Sequence, residues 1–532
     1  LPTDPGLRRL ALRTLLAAFP GTAPPGWALD LVAEGLAGHT LFGRNIDHPD
    51  QVAALTAALR EARPDVLVAI DEEGGDVTRL AHATGSPYPG NAALGVVDDP
   101  ALTRQVYHAI GTDLTAVGIT LDLAPTVDVN TADDNPIIGT RAFGADPARV
   151  AAHAAAAVAG LQAAGVAACA KHFPGHGATI ADSHLELPTV DVPADVLRSR
   201  DLPPFAAVIA ADVRAIMTAH IRVPALTGDG PATFSRAVLV DLLRTEYAFA
   251  GAVLTDALEM KGASASAGGV GSAAVRALAA GADLLCIGAQ VDADLVEEVV
   301  AEIVAALRDG RLAVSRVEEA AERVAALAAW TQAAGLPASA RVTDRAAGPS
   351  APGATPGPGA TGSPDVAPGR SGDAIRRPDG AAAPGSRSPV EALGYAAARR
   401  AVRVEGVVDR LTRPLVVQLF SASTIAEGRV PWGLGPHLNG VEQLRVVAAE
   451  ADAEDLAARA GDRPIVLVGR RLHQLPGGPG LIEALAARHP VTVVEMGWPS
   501  RWRPAGARAF VLTYGASHAN GRAAAEALGL VG

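Results

Sequence analysis

VLVAIDEEGG, residues 66–75, runs without a break from five apolar residues into three carboxylates and a glycine pair. The apolar half reads as a short strand, and the ionisable half begins where that strand must end. Other stretches repeat the design: HTLFG (39–43), ITLDL (119–123), VAACA (166–170), AIMTA (215–219), AVLTD (252–256) and DLLCIG (283–288). Between several of them lie long Ala/Leu/Val stretches, such as PARVAAHAAAAVAGLQAAG (147–165), that read as helices. Strand–helix alternation over this length predicts an α/β fold of parallel strands, closed into a (β/α)8 TIM-type barrel. Chemistry in such a barrel sits at the carboxyl ends of the strands. Four candidates deliver polar groups there: VLVAI leads to Asp71, VAACA to Lys171 and His172, AIMTA to His220, and AVLT to Asp256. One such residue suits the start of a solvated loop. Four together predict a common active site.

At 532 residues the chain is too long for one ordinary domain. Residues 341–389 contain nine Pro and nine Gly but no Leu, Met or aromatic residue. Such a segment buries too little apolar surface to offset its ordering entropy, so a disordered linker is expected. It divides the chain into a catalytic barrel (1–340) and a C-terminal domain (390–532). In the second part LVVQLF (415–420), PIVLVG (464–469), VTVVEMG (491–497) and AFVLTYG (509–515) alternate with helical patterns. That predicts a smaller α/β sandwich domain with a parallel sheet, and no phosphate-loop fingerprint is present in it.

Hydrophobic residues make up 49% of the chain and aromatic ones 4%, so an extensive and mainly aliphatic core is expected. A net charge of −12, with no Lys/Arg run interleaved with aromatics, argues against a nucleic-acid partner. No apolar run reaches membrane-spanning length, so a soluble, cytoplasmic protein is expected. The sequence opens LPTDPG without Met, which leaves secretion or a lipid anchor open. Cys169 and Cys286 lie in apolar stretches and read as buried free thiols.

AACAKHFPGHGATIADSHLELPTV, residues 167–190, concentrates three histidines near a lysine and an aspartate. His172 and His176 have the four-residue spacing that a helix uses to hold zinc, but Pro174, Gly175 and Gly177 interrupt any helix there. Asp182 and His184 would have to complete such a site, and no metal is expected. PGHG also lacks the Lys-Ser/Thr ending of a phosphate loop. An acid/base unit uses the residues better: Asp182 lies two residues before His184, close enough to orient its ring and stabilise its cation. The small residues of GHGATIAD suit a loop that closes over a substrate. Lys171 and His172, pinned at a strand end, suit donors to that substrate. Asp256 has two readings, a helix N-cap or a nucleophile aimed at an anomeric carbon.

The chain resembles the glycoside hydrolase family 3 β-N-acetylglucosaminidases (β-N-acetylhexosaminidases) of the two-domain type. The resemblance runs over most of residues 8–330 and rests on HTLFGRNI, AIDEEGGDVTRL, LDLAPTVDVN, NPIIGTRAFG, AKHFPGHG with DSH, IMTAHI and VLTDALEM, in family order. It implies Asp256 as nucleophile, His184 as general acid/base and Asp182 as its partner. Asp71, Arg79, Arg141, Lys171 and His172 match positions that grip the sugar hydroxyls, while His176, Met217 and His220 match pocket-lining or supporting positions. The chain departs from the family pattern at TRAFG and at Asp76, neither of which carries catalysis. The implied activity is a retaining, exo-acting removal of β-linked GlcNAc from cell-wall (muropeptide) or chitin-type fragments, with a small carbohydrate as partner and no cofactor. The alternatives are a phosphorylase giving GlcNAc-1-phosphate, a catalytically silent sugar-binding protein, and metal-assisted hydrolysis. Asp256, Asp182 and His184 all being present argues against a silent protein. A neutral imidazole base, unlike a carboxylate, does not repel a phosphate dianion, so inorganic phosphate is expected as a second acceptor.

Overall fold

The computed structural model describes residues 4–288, 292–335, 389–408, 411–421 and 423–531. The expected linker, 341–389, lies outside the described residues except for Pro389, which opens the helix Pro389–Ala401. The first domain contains β1 (Leu15–Ala17), β2 (Gly38–Leu41), β3 (Leu67–Ile70), β4 (Leu121–Asp122), β5 (Ala167–Phe173), β6 (Ala215–Thr218), β7 (Ala252–Thr255) and β8 (Leu285–Cys286). They form one sheet in the order β7-β6-β5-β4-β3-β2-β1-β8, with every neighbouring pair parallel. A parallel bridge between Leu254 and Leu284 brings the two ends together. The result is the (β/α)8-type barrel.

Side chains along these strands alternate with the period of two that a pleated strand imposes. Leu67 and Ala69 of β3, Ala167 and Cys169 of β5, Ala215 and Met217 of β6, and Ala252 and Leu254 of β7 share one inner cluster. Val68, Ala168, Ile216 and Val253 between them join the layer packed with the helices. Two more steps along the inner rows of β3, β5 and β7 reach Asp71, Lys171 and Asp256. Leu327 and Ala328, from the helix Val314–Gly335, belong to the same inner cluster, with Trp330 packed against it. Both thiols are free and buried in it.

The second domain holds β9 (Arg403–Gly406), β10 (Leu415–Leu419), β11 (Gln443–Val446), β12 (Ile465–Gly469), β13 (Val491–Glu495) and β14 (Ala509–Leu512). Their order is β11-β10-β12-β13-β14-β9; five strands are parallel, and β9 runs antiparallel to β14 at one edge. The antiparallel edge refines the expected parallel sheet.

Several contacts seat this domain over the barrel's carboxyl mouth. Asp76 accepts from the Ala516 amide (2.7 Å) and from the Thr140 hydroxyl (2.8 Å). Trp498 packs with Ala92, Ile137, Ile138 and Ala142 of the barrel loops. Arg79 donates to the Ala426 carbonyl at 2.8 Å. Among the described residues, no helix is long and apolar enough to cross a membrane.

Candidate active site

A cavity of about 650 Å³ opens at the carboxyl mouth. Asp71, Lys171, Met217 and Asp256 enter it from the inner rows of their strands. Arg79, Arg141, His172, His176 and His184 reach it from strand ends and loops. Asp182 is not part of the lining and instead holds His184 from behind. His220 also stands back, with Nε2 3.1 Å from the Ala257 carbonyl and Nδ1 2.8 Å from the Thr233 hydroxyl. All the residues singled out in the sequence therefore gather around one cavity.

The end of β5 is clamped by charge. Lys171 Nζ lies 2.7 Å from Asp71 and 2.8 Å from Glu73. Arg141 grips Glu73 with two bonds, Nη2 to Oε1 at 2.8 Å and Nε to Oε2 at 3.0 Å. The Thr126 hydroxyl donates to the same carboxylate at 3.1 Å. Burial alone would push Glu73 up, but Arg141 and Lys171 outweigh it and hold the carboxyl well below the usual range. Burial would likewise lower Lys171, and the carboxylates of Asp71 and Glu73 hold it above the ordinary lysine value. Paired charges of this kind persist in a buried place because each partner offsets the other's desolvation.

The following residues are fixed by Asp128. Its Oδ2 lies 2.7 Å from His172 Nδ1, while its Oδ1 accepts from the amides of His172 (3.3 Å) and His176 (2.6 Å). The pairing of β5 with β6 shifts between Lys171 and Phe173, where the consecutive Lys171 and His172 both line the cavity. The chain then turns sharply through two glycines. Gly175 has φ +128°, and a Cβ on Gly177 would stand 2.0 Å from the Val129 carbonyl oxygen. His176 has both ring nitrogens within hydrogen-bond distance of hydroxyls, Thr179 at 2.7 Å and Ser183 at 3.2 Å, while His172 has Nδ1 on Asp128 and Nε2 3.5 Å from Arg141 Nη2. Among the described residues, no group of three or more His, Cys, Asp or Glu is placed to hold a metal ion.

The loop beyond is held by lighter ties. His176 Nε2 lies 3.2 Å from the Ser183 hydroxyl, and burial lowers this imidazole to about 4, so it is neutral near pH 7. The Ser183 carbonyl accepts from the Gly262 amide at 3.2 Å, linking the loop to the segment after Asp256. Asp182 Oδ1 accepts from the His184 amide (2.8 Å) and lies 2.7 Å from its Nδ1. With Nδ1 engaged, Nε2 is the ring nitrogen left for the cavity.

Asp256 Oδ1 accepts from the Ala257 amide at 2.8 Å. Burial would raise this carboxyl, but the imidazoles of His220, His172 and His184 and the Ala257 amide hold it below the ordinary aspartate value. An ionised carboxylate and a carboxylate-oriented imidazole thus share one cavity with a set of hydrogen-bond donors. That combination is able to attack an electrophilic carbon and shuttle a proton.

Sequence reasoning missed several contributors. Glu73 was visible in DEEGG and Asp128 in LDLAPTVDVN, but neither spacing says that one braces Arg141 and the other His172. Glu259 of VLTDALEM and Arg44 of HTLFGRNI also line the cavity. The second domain's residues 425–430 line it too, and nothing in their sequence signals it.

Residues 28–327 match the glycosyl hydrolase family 3 N-terminal domain. Beta-hexosaminidase A of Pseudoalteromonas piscicida is 34% identical over 331 residues, which span 58% of this chain and 55% of that protein. The beta-hexosaminidase of Pseudomonas aeruginosa (strain LESB58) is 41% identical over 254 residues, 46% of this chain and 73% of that one. The solved structure of a glycoside hydrolase family 3 beta-N-acetylglucosaminidase from Paenibacillus sp. str. FPU-7 superposes with a TM-score of 0.80 at 29% identity. That likeness covers 99% of this chain and 97% of the other, so it extends through the second domain. With its barrel, its roof and more than half its length matched in this way, the chain belongs to glycosyl hydrolase family 3.

Proposed function

We propose that this enzyme is a retaining exo-β-N-acetylglucosaminidase that removes terminal β-linked GlcNAc from cell-wall or chitin-type fragments. The names of its relatives support the sugar. The observation that carries the mechanism is the pairing, in one cavity, of an Asp256 held ionised with a His184 whose Nδ1 is tied to Asp182.

In the first half-reaction an Asp256 oxygen bonds to the anomeric carbon as the bond to the leaving oxygen breaks. The proton on His184 Nε2 goes to that oxygen, and the imidazole becomes neutral. In the second half, His184 Nε2 takes a proton from water while the water oxygen displaces Asp256. Asp182 orients the ring through both halves and stabilises it when protonated. Asp71, Lys171, His172, Arg79 and Arg141 hold the sugar hydroxyls, Met217 and His176 complete the pocket, and the chemistry calls for no cofactor. We further propose a cytoplasmic rather than secreted or lipid-anchored enzyme, which activity assays on cell fractions would check.

Asp256→Asn should lower kcat/KM for 4-nitrophenyl β-GlcNAc by ~10³-fold or more while leaving the melting temperature nearly unchanged. A fluorinated GlcNAc-type inactivator should label the peptide that contains Asp256. Labelling at Asp71 or Glu73 instead, or release of the α-anomer as first product, would sink the mechanism.

A further inference from the structure

The second domain has a crevice of its own. From β10 the chain passes to β11 on one side, and from β11 it crosses to β12 on the other, so the direction of winding reverses between β10 and β12. In an open parallel sheet the connections that leave such a point diverge, and the gap they leave at the carboxyl ends of the strands is where ligands bind. A cavity of about 360 Å³ stands there, lined by residues that follow β10, β11 and β12. It shares no lining residue with the catalytic cavity. Its size falls within the ~300–1,000 Å³ of ordinary small-ligand clefts.

One side of this cavity is apolar. Phe420, just past β10, is 58% exposed, and it stands with the exposed Val447 and with Leu475 in the lining. The other side is polar. The Ser421 hydroxyl is buried and has no hydrogen-bond partner among the described residues, which costs free energy until something in the crevice supplies one. Arg470 is committed elsewhere, paired with Glu427 at 3.1 Å and lying 4.6 Å from the centre of the Trp432 ring. Arg471 has only a long bond from Nη1 to the Pro136 carbonyl (3.5 Å), and no carboxylate lies at ion-pair distance from it among the described residues. Its backbone is held at φ +52°, a conformation that costs any residue with a side chain. Glu495 enforces it by accepting from the amides of Arg471 (2.7 Å), Leu472 (2.8 Å) and Gly497 (2.7 Å). The lining contains no acidic residue.

We propose that this crevice is a second binding site, for a small anion that carries a flat apolar ring. The ring lies against Phe420, where stacking adds to the area removed from water. The anionic group meets the Arg471 guanidinium through charge-assisted hydrogen bonds, with the Ser421 hydroxyl as a further donor. The anion has two possible sources, a carboxylate or a phosphate ester, which share this chemistry. The site belongs to the second domain and does not depend on the reaction assigned to Asp256 and His184.

The test is a ligand-detected NMR titration of the full chain with four probes: benzoate, phenyl phosphate, the uncharged benzyl alcohol and the ringless methyl phosphate. Benzoate or phenyl phosphate should bind with a Kd of roughly 0.1–1 mM, and the tighter of the two identifies the anion. Benzyl alcohol and methyl phosphate should each bind about tenfold more weakly or not at all, since each lacks one half of the match. Phe420→Ser and Arg471→Asn should each weaken the favoured probe about tenfold with little change in melting temperature, asparagine being at ease in the left-handed backbone. Arg471→Lys should keep most of the affinity, because the charge remains. Should one variant fail to fold, the other and the probe series decide. If neither ringed anion binds by ~10 mM, if benzyl alcohol or methyl phosphate binds as tightly as they do, or if the folded variants keep full affinity, the inference is overturned.

Discussion

The carboxyl end of β5 and the loop at 182–184 lie about ten residues apart in sequence and are held in opposite ways. Lys171 is 2% exposed and braced by two carboxylates, and the amides of His172 and His176 are pinned by a third. His184 is 22% exposed and rests on Asp182, a residue of its own loop. Ile180 and Leu185 on that loop stand 77% and 61% exposed, so little apolar burial holds it down. The groups proposed to grip the sugar are rigid before it arrives. The group proposed to move protons sits on the part of the site most able to shift.

Substitution should separate the two regions most sharply at His184. His184→Ala should lower kcat/KM by ~10²–10⁴-fold on substrates with poor leaving groups, and far less on a dinitrophenyl glycoside that needs no acid. Its effect on stability should stay within ~1 kcal/mol, since the pair it breaks is partly exposed. A large loss of stability would show that the loop is as structural as β5. Lys171→Met should do the reverse and destabilise the fold by ~3–5 kcal/mol, read from urea unfolding, because Asp71 and Glu73 lose a buried cation. A stable Lys171→Met protein would break the comparison.

Acid should reach the buried histidines before it reaches those pairs. Burial holds His39 and His176 at about 4, against an ordinary histidine value of 6.5. Between those values the unfolded chain binds more protons than the folded one, so stability rises with pH through this window. The melting temperature should therefore be highest above about pH 6.5 and fall as the pH drops towards 4. A His39→Gln variant should show a shallower slope; an unchanged slope would remove His39 from the account. The smallest effect expected concerns the acceptor. Millimolar phosphate at matched ionic strength should speed deglycosylation severalfold and yield some GlcNAc-1-phosphate, and His184→Glu should weaken that response more than it weakens hydrolysis. An unchanged rate with free GlcNAc as the sole product would make the enzyme a plain hydrolase.

What the sequence disclosed follows burial. The strands read correctly in the second domain, β10, β12, β13 and β14, are almost wholly buried and therefore nearly continuous in apolar residues. β9, exposed throughout, and β11, alternately exposed and half-buried, are edge strands with no such run. β1 is three residues long and blends into the helical pattern of ALRTLLAAF. At the site, Asp71, Lys171 and Asp256 were legible because each continues an apolar strand. Asp128 was not, because its role depends on a turn that brings His172 and His176 to it. The roof was hidden for a related reason: residues 425–430 meet the barrel only after some 350 residues of intervening chain.

The seat of that roof has one further property. At the cavity, Arg79 holds the second domain by the carbonyls of Ala426 and Glu427, and Asp76 holds it by the amide of Ala516. Each of these bonds takes hold of main chain, which every amino acid supplies alike. The side chains at 425 and 429 are therefore free to be exchanged without unfastening the roof, so this part of the cavity lining can change while the seat of the second domain stays as it is.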